Sequence, residues 1–500
     1  MLTSPGTTVS TGTFPLVKDR VALLARYGGF ALSVVTFVLG IAWAFAIKPF
    51  NAPDEPMHLQ AVMQMRKGYG LPEVHYDMSV RPKGSIVDTY IDQPSWDYAI
   101  SQGITQSYKL EPNQSIQPPL YYGLVALASA FTPPDPPLVF YIGRLVSVLL
   151  GVAIVFFCWA TIRELFPTQP RFALLASGLL VLLPQFSFLR ASLSNDNAVI
   201  LAGAASFYLW VRALRHPDFD PWMWKAGAVL GLGLLAKLTA TALLPGLALV
   251  ILFRAFQQPP NASRTADSPA LLWRRRILRA LRMSIGSGAA LLLIYGWYLV
   301  RNLLVYNDLL GLGNARLYNG ARLPLFDMSD PGVRTIFINW TWETFIGRYG
   351  WLDVLYPHAV YGIMSGLFAL LAALTIFVTA RALLRSAQAH KTIPQPTQDS
   401  PAPAGPIPTY IRQFFAVIML VAAAVIYNYI NYSLTFNFQP QARHTFLLLL
   451  PYALLFTGGL YVLTRRSRIS TLLTSLPLLA LAVLNLTGIY MVAAYTQLIW

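Results

Sequence analysis

The sequence predicts an all-α polytopic membrane protein with about eleven transmembrane helices and a long first external loop that carries interfacial helices. Three observations predict it. The 500 residues are 55% hydrophobic and 12% charged, against about 25% charge in soluble domains, and mean hydropathy is positive. Apolar runs of roughly 20 residues, enough to cross a hydrocarbon core of about 30 Å, recur along the chain. The net charge of +16 lies mostly in short loops between those runs, which is the positive-inside pattern with contact to anionic lipid and not a nucleic-acid surface.

Taken in order, residues 1–26 form a Ser/Thr/Gly-rich tail with Lys18, Arg20 and Arg26. No small-residue cleavage site follows the first apolar run, so the tail reads as cytoplasmic and the first helix, about residues 27–47, as uncleaved. A Pro-, Tyr- and Trp-rich external loop, 48–137, comes next. Within it, residues 54–68 read as a short helix with acids in its first turn and Gly68 and Gly70 at its end. Residues 117–131 read as a second helix lying along the interface, because a spanning helix there would turn the loops with Arg163 and Arg212 outward. Spans follow at about 139–162, 172–189 and 198–211. The apolar stretch 222–253 carries Lys237 near its middle and is therefore split into two short helices with Lys237 at the outer turn. A span at 285–304, an external loop at 305–358 with Trp340, Trp342, Arg348 and Trp351, and a span at 359–380 complete a core of residues 27–380. A Pro/Gln/Ser-rich stretch at 381–410 reads as a flexible cytoplasmic linker. Residues 411–500 hold three further spans.

This topology gathers polar side chains at the outer face: Asp54, Glu55, His58, Gln117, Arg144, Asn195, Asp196, Asn197, Lys237, Arg301, Asn302, Arg348, Arg443 and His444. The charge rule keeps Lys and Arg inside, so each outer cation at a span end points to an anionic partner, a lipid phosphate first. Asp54 and Glu55 suit a general base or a divalent metal, Mg or Mn, and His58, one turn on, suits orienting a carboxylate or joining them as a ligand. The same acids also suit the first turn of a helix, and Asn195-Asp196-Asn197 also suits an N-cap. The single cysteine, Cys158, provides no disulfide framework and no Cys-based metal site. Neither GxxxxGK[ST] nor HExxH occurs, and nothing points to nucleotide use.

Seven stretches in order carry a resemblance: Pro53-Asp54-Glu55-Pro56-Met57-His58, Gln117-Pro118-Pro119-Leu120-Tyr121-Tyr122, Gly143-Arg144-Leu145, Ser194-Asn195-Asp196, Leu235-Ala236-Lys237, Trp297-Tyr298-Leu299-Val300-Arg301-Asn302 and Gln439-Pro440-Gln441-Ala442-Arg443-His444. Together they resemble the GT-C superfamily of integral-membrane glycosyltransferases, in a bacterial branch related to the protein O-mannosyltransferase and aminoarabinose transferase types. The chain departs from that pattern in lacking a large C-terminal soluble domain and in having Gln117-Pro118 where a charged residue is often found.

The resemblance implies a GT-C-like fold and transfer of a sugar from a polyprenyl-phosphate donor to a glycan, lipid or protein acceptor. The site would lie on the outer face of the inner (cytoplasmic) membrane. Asp54 and Glu55 become the catalytic pair. Arg144, Lys237, Arg301 and Arg443 become phosphate-holding residues, with His58, Gln117, Asn195, Asp196, Asn302 and His444 beside the substrate. Competing readings are a transporter or flippase for lipid-linked glycans, which internal repeats or midplane charges would mark, and a non-catalytic protein of envelope-glycan assembly.

Overall fold

Apolar stretches with few internal breakers make the chain almost wholly helical in the computed structural model, which describes residues 15–73, 75–77, 85–87, 92–105, 113–257, 268–313, 327–389, 407–435, 437–465, 467 and 469–498. The elements run α1 (Pro15–Ala46), α2 (Glu55–Arg66), β1 (His75–Asp77), β2 (Ser85–Val87), α3 (Gln93–Ser101), α4 (Leu120–Ala128), α5 (Pro136–Leu165), α6 (Pro170–Leu182), α7 (Pro184–Leu189), α8 (Asp196–Arg215), α9 (Met223–Ala236), α10 (Leu244–Phe256) and α11 (Pro269–Tyr306). After them come α12 (Pro331–Ile346), β3 (Arg348–Tyr349), β4 (Val354–Leu355), α13 (His358–Ala389), α14 (Thr409–Thr435), α15 (Leu449–Thr464) and α16 (Ser470–Leu498). Both strand pairs are antiparallel.

Among the described residues nine helices are long and apolar enough to cross a membrane. The other two expected spans fall on α6, with 13 residues, and α9, with 14, each about 20 Å at 1.5 Å per residue and short of the ~30 Å hydrocarbon core. The nine-residue α4 is too short to cross.

Two expectations shift at their boundaries. The span expected at 285–304 begins earlier, and the basic run Trp273-Arg274-Arg275-Arg276 belongs to the first part of the 38-residue α11. Ser268 caps that helix by accepting from the Leu271 amide, Pro269 occupies its first turn, and the Arg, Leu and Ala that follow are strong helix formers. The linker expected from 381 is helical through Ala389. Residues 1–14 of the expected tail and 390–406 of the linker lie outside the described residues.

Broken helices shape one end of the bundle. Pro184 cannot donate to the α6 ladder, so the chain turns at Leu183, and the freed carbonyls find other donors. Val181 O accepts from Ser187 Oγ and Arg190 Nη1, both at 3.1 Å, and Leu182 O accepts from Asn485 Nδ2 at 3.2 Å. Asn485 Oδ1 in turn accepts from Trp43 Nε1 at 2.9 Å, which ties the break to α1 and α16. Arg190 is fully buried, with its aliphatic stem in the space left by the missing side chain of Gly151 on α5. Elsewhere α9 and α11 approach so closely that a Cβ on Gly227 would lie 1.9 Å from Ser287 O.

Candidate active site

The site begins where α1 ends. Residues 48–54 make a tight turn in which Phe50 (φ 64°) and Asp54 (φ 68°) both take the left-handed conformation, which is uncommon for residues with a side chain and gathers at functional sites. Phe50 is held from three sides: its ring sits 5.0 Å from Tyr98 and 4.7 Å from Phe140, and its carbonyl accepts from Trp351 Nε1 at 2.9 Å. Trp351 lies in the turn between β3 and β4, so residues expected in a plain external loop brace this turn. Asp54 stands at the N-cap of α2 but makes no capping bond with its side chain.

The structure separates the two adjacent acids. Glu55 turns into the bundle, fully buried, and accepts from Arg144 Nε at 2.9 Å, Arg144 Nη2 at 2.8 Å and the Leu193 amide at 2.9 Å. Arg144 places its remaining donors on Ala44 O, Ile47 O and Lys48 O at 2.6–3.1 Å. Those bonds engage all five guanidinium N–H groups, so Arg144, expected at a phosphate, is occupied with Glu55 and with carbonyls at and just beyond the end of α1.

Asp54 turns the other way. Its Oδ2 accepts from Arg443 Nη2 at 2.9 Å, and Arg443 Nη1 lies 3.9 Å from Asp196 Oδ2. Asp196 Oδ1 in turn pairs with Lys237 Nζ at 2.5 Å. Two carboxylates and two cations therefore alternate in one chain, Asp54, Arg443, Asp196 and Lys237, drawn from four separate parts of the sequence.

Local structure explains each placement. Asp196 opens α8 after the 190–195 turn, which is pinned by the Leu193 amide on Glu55 and by the Ser194 amide on Tyr121 Oη at 3.1 Å. Asn197 Nδ2 closes the same turn on the carbonyls of Leu189, Ser192 and Ser194. Lys237 is extended (φ −162°) between α9 and a 3-10 turn, Leu238–Leu243, and Asn195 Nδ2 donates to the neighbouring Ala236 O at 3.5 Å. Arg443 sits on the 3-10 turn Ala442–Leu448, anchored by the Ala442 amide on Thr344 Oγ1 at 2.9 Å.

His58 and His444 flank this chain. His58 Nδ1 lies 3.1 Å from Tyr122 Oη, and Tyr122 Oη also donates to Gln114 O at 3.3 Å. Burial pushes the His58 imidazole down to about 4, so it is neutral at pH 7. Burial also opposes ionisation of Asp54, but the charge and hydrogen bond of Arg443, with the charge of Lys237 behind, outweigh it and hold that carboxyl below the usual carboxylate range. His444 Nε2 lies 3.1 Å from Gln439 Oε1, and its ring stacks on Tyr429.

The other expected residues lie around this centre or away from it. Arg301 pairs with Glu73 at 3.0 Å, donates to Pro72 O and to Asn302 Oδ1 at 3.2 Å, and faces the rings of Tyr298 and Tyr306. Asn302 is buried beside it. Gln117, half-buried, follows a 3-10 turn and donates its amide to Gln114 O at 3.0 Å. Arg348 pairs with Glu343 at 2.6 Å and covers the Trp340 ring.

Asp54, Glu55 and His58 do not come together as the expected metal-ligand set. Consecutive residues at a helix start point in different directions, and among the described residues no three or more His, Cys, Asp or Glu side chains are grouped to hold a metal.

Sequence reasoning also missed an apolar cavity of about 380 Å³ between α12, α14 and α15, lined by Phe337, Trp342, Tyr429, Ala442, Thr445 and Tyr452 among others. Ala442 and Thr445 place it directly beside Arg443 and His444. Its lining comes from stretches far apart in the chain, and each aromatic by itself reads as an ordinary membrane-facing or core residue.

A family model described as dolichyl-phosphate-mannose-protein mannosyltransferase matches residues 140–267, the stretch that supplies Arg144, Asp196 and Lys237. No curated protein matches the chain. Among solved structures, the Archaeoglobus fulgidus oligosaccharyltransferase tethered with an acceptor peptide is 12% identical over 95% of this chain and 56% of its own, with a TM-score of 0.45. The same enzyme complexed with Zn and sulfate is 13% identical over 91% of this chain and 53% of its own, at 0.44. ArnT from Cupriavidus metallidurans bound to undecaprenyl phosphate is 15% identical over 94% and 75%, also at 0.44. The chain thus spans 56% of the oligosaccharyltransferase chain. The resemblance to membrane glycosyltransferases expected from the sequence motifs is met by the family-model match over α5 to α10.

Proposed function

We propose that this protein is a membrane glycosyltransferase that moves a sugar from a polyprenyl-phosphate donor to an acceptor at the outer face of the cytoplasmic membrane. The observation that carries the reading is the chain Asp54–Arg443–Asp196–Lys237 beside an apolar cavity, a carboxylate suited to the role of base together with two cations. A lipid-linked phosphate needs both: cations for its headgroup and an apolar path for its tail. The match to residues 140–267 supports the same class. The basic run of Arg274, Arg275, Arg276, Arg279 and Arg282 occupies the opposite end of α11 from Arg301, which supports the site's facing outward by the charge rule.

In this reading Asp54 takes the proton of the acceptor hydroxyl as its oxygen bonds to the anomeric carbon. The bond from that carbon to the phosphate oxygen breaks, and its electron pair leaves on the phosphate. Acceptor, ionised Asp54 and the singly charged phosphodiester carry two negative charges; the products, protonated Asp54, the glycoside and the phosphate dianion, also carry two. Charge therefore grows on the phosphate during transfer, and Lys237 and Arg443 stabilise it there. Asp196 holds the two cations in place, and neutral His58 with Tyr122 forms one wall. Glu55 and Arg144 are architectural: they fix the 48–54 turn that presents Asp54. No step is routed through a metal.

The test is turnover of a labelled polyprenyl-phosphate sugar by the purified full chain, read as sugar release or transfer. Lys237→Gln and Arg443→Gln should each lower turnover by about 10²–10³-fold, the usual loss for a charge-stabilising donor. Undiminished turnover in both variants would remove the cations from the mechanism, and no turnover by the wild type would remove the reading.

A further inference from the structure

We propose that the donor phosphate itself unmasks the base: an arriving polyprenyl phosphate draws Arg443 away from Asp54, and only then is the Asp54 carboxylate available to the acceptor proton. The inference rests on the lipid-phosphate reading of the site and adds an order of events to it.

Four observations lead there. Arg443 is shared, 2.9 Å from Asp54 and 3.9 Å from Asp196, so it has two anchors and can leave one while keeping the other. Its Nε and Asp196 Oδ2 are buried without a hydrogen-bond partner, so the guanidinium is under-used as it stands, and a buried donor without a partner is costly. Asp54 has no capping bond to fall back on, and its side chain is the most exposed of the four at 19%, against 8% for Arg443, 6% for Asp196 and 16% for Lys237. Asp196, by contrast, has a second cation, Lys237, at 2.5 Å.

The charge balance gives the direction. Among the described residues of this chain of charges, two carboxylates and two cations sum to zero, so a phosphodiester that engages Arg443 must draw it from a carboxylate. Asp54, with a single cation and the greater exposure, loses the competition more readily than Asp196 with two. While Arg443 sits on it, Asp54 is a poor proton acceptor; once Arg443 moves to the phosphate, the carboxylate regains the basicity to accept the acceptor proton as the new glycosidic bond forms and the phosphate leaves. The donor therefore binds before the base is active, which protects it from premature proton capture in the empty site.

The experiment measures binding of undecaprenyl phosphate, which carries no sugar, to the full-length protein in nanodiscs, with undecaprenol as the blank. If Asp54 competes with phosphate for Arg443, Asp54→Asn removes the competitor and binds the lipid phosphate at least about tenfold tighter than wild type. Asp54→Glu keeps the ion pair and should stay within about threefold of wild type. Asp54→Ser repeats the comparison should the Asn variant fold poorly. Wild-type binding with Asp54→Asn and Asp54→Ser equal or weaker overturns the unmasking and leaves the proposed function standing. No binding of undecaprenyl phosphate by any of these proteins removes the lipid-phosphate reading itself, and the inference with it.

Discussion

Replacing Glu55 with Gln should cost stability first, with turnover per folded molecule falling only as far as the 48–54 turn loosens. Glu55 and Arg144 have side chains 0% and 1% exposed, so solvent screens their pairing little. The amide keeps the shape of the carboxylate but turns an N–H₂ toward a guanidinium donor and leaves the Arg144 charge buried among carbonyls alone. Removing one partner of such a pair costs about 3–5 kcal/mol, far more than the 0–1 kcal/mol of a surface pair. Replacing both residues by apolar ones should recover only part of this, because Ala44, Ile47 and Lys48 would then lose the donors that satisfy the end of α1. The assay is thermal or denaturant melting in one detergent, with turnover normalised to folded protein. A Glu55→Gln protein that melts with wild type, or one that keeps its melting point and loses turnover, would refute the architectural assignment; the second result would move the catalytic role from Asp54 to Glu55.

Three further outcomes follow from the same geometry. His58 is held neutral down to a pH of about 4 while an unfolded His protonates near 6.5, so between those values the unfolded state binds the extra proton. Stability should fall as pH drops through that window, by roughly 3 kcal/mol in all, and the slope should disappear from melts of His58→Gln. Trp351→Phe removes the bond to Phe50 O at a stability cost of about 0.5–1.5 kcal/mol; if the bond steadies the turn that presents Asp54, kcat falls while the donor KM holds, and an unchanged kcat would show the turn stands alone. Gly227→Ala brings a methyl against Ser287 O and should destabilise by about 1–3 kcal/mol or more, visible as a lowered melting temperature, whereas Gly286→Ala, in open space on α11, should melt with wild type.

The fold was legible where a single stretch decides the outcome. Lys237 in an apolar run too long for one ordinary span called for a break, and α9 does end at Ala236. The acids Asp54 and Glu55 marked the start of α2. Short helices were harder: α6 and α9 are too short for a full crossing by length alone, and the basic start of α11 hid its helix behind its charges. At the site, the charge rule gives an expected grouping of polar residues but not which of them pair. Asp54 meets Arg443 from 389 positions away and Glu55 meets Arg144 from 89, and no local pattern encodes a partner at that range. The opposite directions of Asp54 and Glu55 likewise depend on a left-handed backbone at Asp54, in a turn that Trp351, Phe140 and Tyr98 brace at Phe50.

The most direct measurement is the turnover of labelled polyprenyl-phosphate sugar by Asp54→Asn beside wild type, with melting curves recorded on the same preparations. The Asp54–Arg443 pair is mostly buried, with side chains 19% and 8% exposed, so the variant should melt below wild type by about 1.5–3 kcal/mol, and turnover is read per folded molecule. Its turnover should fall by at least about 10²-fold, the lower end of what a positioned general base contributes. Equal turnover per folded molecule would contradict the assignment of Asp54 as the base.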